Sequence, residues 1–192
     1  MLVSNNNILN DDLKFIYENF EDKKKFKNKN IVIIGCAGFL GFYFSSFFLK
    51  YFETLQINKL ILIDYFPSGK PNWLNKNKNK KIQIKKNDIK KKNLNLNFLN
   101  NINYIIHAAT YASPIYYRKF PLETLEANII GLKNIFNYII EKKIKINGSL
   151  FFSSSEIYGD PDKKNIPTSE EYNGNVSSIG PRSCYDESKR MG

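Results

Sequence analysis

The chain has 192 residues, room for one sizeable core or two small domains, and 42% of it is apolar, which suits a globular protein rather than a disordered one. Its two cysteines, Cys36 and Cys184, make neither a disulfide framework nor a metal quartet, and no apolar run is long enough for a membrane span. The net charge of +11 comes largely from Lys23–Lys29, Lys76–Lys81 and Lys85–Lys92, where lysine is interleaved with asparagine rather than with arginine or stacking aromatics; these runs read as solvated loops, not as a nucleic-acid surface.

Residues 1–30 read as an N-terminal helical extension. Met1–Asp12 is polar and acidic, with no basic n-region or cleavage site, so no export signal is expected and a reducing cytoplasm fits. Asn10-Asp11-Asp12 has the makings of a helix cap, and Leu13, Ile16, Tyr17 and Phe20 follow at helical spacing, which predicts a short amphipathic helix packed on the main domain, residues 31–192.

Ile31-Val32-Ile33-Ile34 is a run of branched apolar residues, the pattern of a parallel strand buried on both faces. Gly35, Gly38 and Gly41 follow at three-residue intervals and lead into an apolar helix over Phe39–Phe52. That spacing allows a tight turn, close approach of a pyrophosphate to bare backbone, and close packing of helix on strand, while the helix N-terminus presents N–H groups to phosphate. A second strand, Lys59–Ile63, ends in Asp64, about twenty residues beyond Gly41, where an acidic residue binds the ribose hydroxyls in NAD-type sites. An ordinary strand-to-helix turn would not bring all these features together, so a dinucleotide site is expected here.

Pro67-Ser68-Gly69 then makes a turn, Asn75–Lys81 a charged loop, Ile82-Gln83-Ile84 a short third strand closing at Asn87-Asp88-Ile89, and Leu94–Leu99 a helical segment. The fourth strand, Tyr104–Ile106, ends in His107-Ala108-Ala109, and the small residues leave space beside a cofactor; His107, the single histidine, reads as a structural residue at a strand end rather than as a catalytic base. After a loop with Pro114, Tyr116 and Tyr117, a long helix is predicted over about 121–143 with apolar residues Leu125, Ile129, Leu132, Ile135, Phe136 and Ile139. A fifth strand, Ser149–Ser153, leads into Ser154-Ser155-Glu156. Alternation of this kind gives an α/β chain with a Rossmann-like doubly wound parallel sheet, whose ligands collect outside the carboxyl ends of the strands.

Tyr185 and Lys189 stand at i and i+4 on a predicted helix near the end of the chain, hence on one face. A phenol is a poor base at neutral pH, but an ammonium one turn away favours the phenolate, so the pair can take a proton from an alcohol.

Here the chain resembles the extended short-chain dehydrogenase/reductase family, the NAD-dependent nucleotide-sugar epimerases and dehydratases, from about residue 30 to the end. The densest likeness lies in Ser153-Ser154-Ser155-Glu156-Ile157-Tyr158-Gly159-Asp160-Pro161 and in Ile179-Gly180-Pro181-Arg182-Ser183-Cys184-Tyr185-Asp186-Glu187-Ser188-Lys189-Arg190. These runs, with Ser113-Pro114 and Asp64-Tyr65-Phe66-Pro67-Ser68-Gly69, look most like the UDP-glucuronate decarboxylase branch. The resemblance implies NAD as cofactor, with its pyrophosphate on Gly35, Gly38, Phe39, Leu40 and Gly41. It puts the adenosine ribose on Asp64, Ser68 and Gly69 on the phosphate side of the second turn beside Tyr65 and Phe66, and adenine between Asp88 and Ile89. Tyr185 would be the base, Lys189 its activator and a ligand of the nicotinamide ribose, Ser154 a partner of the sugar 4-hydroxyl, and Glu156 the carboxylate beside the sugar. It further implies a nucleotide-sugar substrate, a UDP-sugar above all, a 4-keto intermediate, a homodimer in the full-length protein, and no metal, membrane or nucleic-acid partner.

Several features depart from that pattern. Cys36 replaces a usual second glycine; Glu126 stands where the decarboxylase branch is expected to carry lysine; and Ser155 occupies the place of the aspartate acid of a 4,6-dehydratase. A nucleotide-sugar epimerase or dehydratase is the alternative enzyme, and a non-catalytic nucleotide-binding module the alternative of another class. The family's remaining strands and substrate lobe would follow Gly192, so the chain as written is expected to bind NAD without turning over substrate.

Overall fold

The structure is a computed structural model that describes residues 7–76, 78–91 and 94–192. The first six residues of the polar N-terminal stretch, together with Asn77, Lys92 and Asn93 of the lysine-rich runs, lie outside the described residues.

A five-stranded sheet of order β3-β2-β1-β4-β5 is built from β1 (Asn30–Ile34), β2 (Lys59–Asp64), β3 (Ile82–Lys86), β4 (Tyr104–His107) and β5 (Gly148–Phe151). β1 pairs in parallel with β2 and β4, and β2 with β3, in a register that sets Ile34 beside Ile63 and His107. Ile31–Ile34 and Leu60–Ile63 are at most 1% exposed, as branched runs covered on both faces should be. The strand order reverses between β1 and β4, and at such a switch point the loops diverge and leave a crevice. This is the Rossmann-like α/β fold.

Two compact units divide the chain. The first holds the described residues up to Asp88, Asn95–Ala109 and Tyr138–Leu150, and so contains nearly all of the sheet; the second holds the described residues of Ile89–Leu94, Thr110–Asn137 and Phe151–Gly192. In the first, helix α1 (Asn7–Asn19) lies on helix α2 (Phe39–Lys50): Leu9 and Leu13 are buried, Tyr17 stacks on Tyr51 with ring centroids 4.2 Å apart, and Lys50 donates to Asn10 at 3.0 Å. The second carries helices α3 (Pro114–Lys119), α4 (Pro121–Asn128) and α6 (Ser183–Met191), and helix α5 (Ile130–Glu141) runs from the second unit into the first.

Five expectations about elements need correction. α1 starts before the expected cap, so Asn10-Asp11-Asp12 lies inside it; the buried pair is Leu9 and Leu13, one turn earlier than the stripe read from the sequence, and Ile16 is 43% exposed. Leu94–Leu99 forms only a 3₁₀ turn, Asn97–Leu99, because Asn95 Oδ1 accepts the Asn97 amide at 3.0 Å and offers the backbone an alternative to helix, while Leu96, Phe98 and Leu99 still bury. The long helix over 121–143 is two helices broken at Ile129 (φ −102°, ψ −60°), between Asn128, whose side chain is tied elsewhere, and Gly131, a weak helix former. Lys143 at φ +51° ends the second, with Ile144 N–H returning to Ile139 O at 2.9 Å. The buried stripe there runs through Thr124, Asn128, Gly131, Ile135 and Ile139, while Leu125 is 38% exposed. The loop after Ser113 holds α3, started by Pro114 at its first position, and β5 stops at Phe151, two residues before the expected end.

Candidate functional site

The glycine turn carries its own account of why it is glycine. A Cβ on Gly35, at φ +84°, would stand 2.6 Å from the backbone of Ala108 and Ala109 at the end of β4, and one on Gly41 would stand 1.9 Å from the Gly35 carbonyl oxygen. Both positions are closed by the protein itself. Gly38 differs: its backbone (φ −70°, ψ 173°) is open to any residue, and a Cβ there would meet only the Gly35 oxygen at 3.4 Å. A side chain at Gly38 is thus excluded by nothing within the protein, which leaves the space before the helix for a ligand. Gly38 caps α2, so the amides of Phe39 and Leu40 lie in a first turn that has no intrahelical acceptors. Phe39 is 80% exposed and Leu40 43%, so both backbones are reachable.

Asp64 closes this cradle from β2. Its Oδ2 accepts the Ala37 amide at 3.0 Å and its Oδ1 the Phe66 amide at 2.8 Å, so one carboxylate fastens the first turn to the second. A carboxylate has about four lone-pair sites, and two remain open to a ligand donor. Phe66 sits at φ +53° with its ring buried, and Gly69 at φ +86° donates to Phe66 O at 3.0 Å, so Ser68 and Gly69 form a tight turn while Tyr65 is 47% exposed. Cys36 is fully buried under the turn, and burial, then the charge of Asp64, push its thiol up, away from thiolate chemistry. His107 is buried, 2% exposed, at the end of β4. Asp88 belongs to this first unit and Ile89 to the second; the Ile89 side chain is buried, its carbonyl accepts from Asn134 Nδ2 at 2.8 Å, and its Cδ1 lies where a Cβ on Gly131 would be.

The second unit brings together Ser154, Glu156, Tyr185 and Lys189. Ser154 caps the 3₁₀ turn Ser155–Tyr158 and accepts the Glu156 amide on its Oγ at 3.3 Å. Tyr185 and Lys189 share the buried face of α6, 7% and 3% exposed. The Lys189 Nζ donates to Phe152 O at 2.5 Å, lies 4.6 Å above the Phe151 ring and 6.0 Å from the Tyr185 ring centre. Burial lowers the ammonium to about 8. Tyr185 stacks face to face on Tyr117, with ring centroids 5.0 Å apart at 16°. Cys184 beside it has its thiol pushed up by burial.

Three further partners support the pair in this unit, and of them only Arg182 lies in a run that carries the family likeness. Asn128, fully buried, donates to Ser188 Oγ at 2.9 Å, and Ser188 donates to Tyr185 O at 3.0 Å, fixing the Tyr185 backbone to α4. Tyr117 supplies the stacking face. Arg182, just before α6, pairs with Glu156 and reaches Asp186 at 3.4 Å. The sequence holds only one hint of the other two: polar Thr124 and Asn128 interrupt the apolar face of α4. Glu126 is half exposed and 4.0 Å from Lys90. Among the described residues no cluster of His, Cys, Asp and Glu could hold a metal ion, and no helix is long and apolar enough to cross a membrane.

Comparison with known proteins sets these features in context. A family model described as the NAD dependent epimerase/dehydratase family matches residues 31–192. UDP-glucuronic acid decarboxylase 5 of Arabidopsis thaliana is 34% identical over 167 residues, 85% of this chain and 44% of the relative. UDP-glucuronic acid decarboxylase 1 of Xenopus tropicalis is 32% identical over 167 residues, 85% of this chain and 35% of the relative. Among solved structures, a UDP-N-acetylglucosamine 4-epimerase from Methanobrevibacter ruminantium M1, in complex with UDP-N-acetylmuramic acid, superposes with a TM-score of 0.66 at 28% identity, over 86% of this chain and 48% of that one. A dTDP-glucose 4,6-dehydratase from Streptomyces venezuelae with NAD bound shares the fold at a TM-score of 0.65 and 19% identity, over 83% and 48% of the two chains. The chain spans less than half the length of these relatives.

Proposed function

The chain belongs to the NAD dependent epimerase/dehydratase family, and from that premise we propose that it is the nucleotide-binding and base-carrying part of an NAD-dependent nucleotide-sugar enzyme, a UDP-glucuronate decarboxylase that forms UDP-xylose through a 4-keto sugar. The observation that carries the reading is the buried Tyr185–Lys189 pair beside the Ser154–Glu156 turn, in a chain about one third identical to decarboxylases over most of its length.

The cradle fits a dinucleotide: the space left at Gly38, the first-turn amides of Phe39 and Leu40, and the spare lone pairs of Asp64 suit a pyrophosphate and an unphosphorylated ribose. NAD held there would supply reversible hydride chemistry at the sugar C4. Tyr185 takes the proton of the 4-hydroxyl, while Ser154 Oγ aligns that hydroxyl. Lys189, desolvated yet largely protonated below about 8, favours the phenolate and holds the nicotinamide ribose. The resulting ketone lies β to the uronate carboxylate, so the bond to that carboxylate can break as its electron pair flows into the carbonyl, releasing carbon dioxide and an enolate that takes a proton from water at C5 to give the 4-keto pentose. Glu156 stands beside the sugar at that step, and Tyr185 returns its proton when the ketone is reduced.

A nucleotide-sugar 4-epimerase or 4,6-dehydratase is the second reading, since Glu126 stands where the decarboxylase branch is expected to carry lysine and so weighs against a carboxylated substrate. The test is incubation of the product of the whole coding sequence with NAD and UDP-glucuronate. UDP-xylose and carbon dioxide support decarboxylation, UDP-galacturonate supports epimerisation, and neither product from this or other UDP-sugars overturns both.

A further inference from the structure

Arg182 pairs with two carboxylates at once. It precedes α6, and its guanidinium pairs with Glu156, on the turn after β5, and through Nε with Asp186 at 3.4 Å, one turn up the helix that bears Tyr185 and Lys189. Its backbone is anchored too, since the Arg182 carbonyl accepts the Tyr185 and Asp186 amides at 2.9 and 3.0 Å. Asp186 is 7% exposed, and its Oδ2 faces Arg182 while its Oδ1 has no hydrogen-bond partner among the described residues. Burial pushes this carboxyl up and Arg182 pulls it down.

We propose that Arg182 is a positioning residue: clamped by Asp186, it holds the Glu156 carboxylate and so fixes the Ser154–Glu156 turn in register with Tyr185. The proposal rests on the reading of Glu156 and Ser154 as groups beside the sugar. Two features give the clamp its direction. Asp186 is buried and belongs to a helix secured by the Asn128–Ser188 link, so it is the fixed end. Glu156 is 37% exposed on a four-residue turn held at one end by the Ser154 cap and at the other by Tyr158 O, which accepts the Asn175 amide at 2.8 Å; its carboxylate is tethered by Arg182, so it is the end that would drift. An arginine also suits the task better than lysine, because its planar fork can meet two carboxylates at fixed angles.

The experiment has two arms. In the 192-residue chain, hydrogen exchange of the Ile157 and Gly159 amides, which close the turn, is compared in wild type, Arg182→Gln and Arg182→Lys. Arg182→Gln is expected to speed them about tenfold, as loss of a charge-assisted hydrogen bond would, while the Ile31–Ile34 amides keep their rates and Arg182→Lys restores only part of the protection. In the full-length enzyme, Arg182→Gln is expected to lower kcat about thirtyfold with little change in KM, and to add almost nothing in a Glu156→Gln background. Unchanged turn exchange, or additive losses in the double mutant, would overturn the clamp. If wild type turns over no nucleotide sugar, the activity reading fails, and the exchange arm alone still decides for or against the clamp.

Discussion

Gly38 and Gly41 should respond oppositely to the same substitution. Gly41→Ala places a methyl 1.9 Å from the Gly35 carbonyl oxygen and 2.9 Å from the Cys36 Cα, all of it backbone between β1 and α2, so the helix must move off the sheet. Overpacking of this kind costs about 1–3 kcal/mol or more against a total stability of about 5–15 kcal/mol. Gly38→Ala meets only a 3.4 Å contact in a backbone conformation that alanine accepts. Lower chain entropy in the unfolded state then offsets the poorer cap, and stability should change by less than about 0.5 kcal/mol. The new methyl stands where a pyrophosphate must approach, so NAD affinity should fall at least about tenfold, or 1.4 kcal/mol. Urea denaturation and calorimetric titration with NAD on the same preparations separate the two effects. Equal stability losses for both variants, or undiminished NAD binding by Gly38→Ala, would refute the assignment of Gly41 to packing and Gly38 to the ligand.

Asp64→Ala removes the acceptor of two amides, so it should cost about 1–3 kcal/mol in denaturant and erase the preference for NAD over NADP that calorimetry should find in wild type. Lys189 is lowered from 10.5 to about 8 in the folded chain, so between those pH values the unfolded state binds more protons and stability should rise with pH; Lys189→Met should lack that rise in parallel urea titrations. A random DNA duplex should bind weakly and be released at physiological salt, whereas sub-micromolar binding that survives such salt would overturn the reading of the lysine runs as solvated loops.

The glycine turn and the tyrosine–lysine pair were legible because each is local. Ile31–Ile34 announces a buried strand, the glycines mark the turn, and Asp64 ends the next apolar run, where the structure puts it on both turns. Tyr185 and Lys189 sit one helical turn apart, so spacing alone places them on one face. The support of that pair was hidden because it comes from far along the chain: Asn128 meets Ser188 across 60 positions, and Tyr117 lies on a helix that the sequence offered as a loop. Leu94–Leu99 shows the opposite failure, where apolar residues of the right kind bury correctly but asparagine side chains take the amides a helix would need.

The central claim is that the sugar C4 is oxidised and reduced again, with Tyr185 moving the proton. The direct measurement is turnover of UDP-glucuronate deuterated at C4 by the full-length enzyme with NAD, followed by nicotinamide absorbance and by mass spectrometry of the product. The account expects transient reduced nicotinamide, deuterium retained at C4 of UDP-xylose, a slowed first phase, and loss of all three in Tyr185→Phe with NAD affinity unchanged. Product formed without reduced nicotinamide, or at an undiminished rate by Tyr185→Phe, would contradict it.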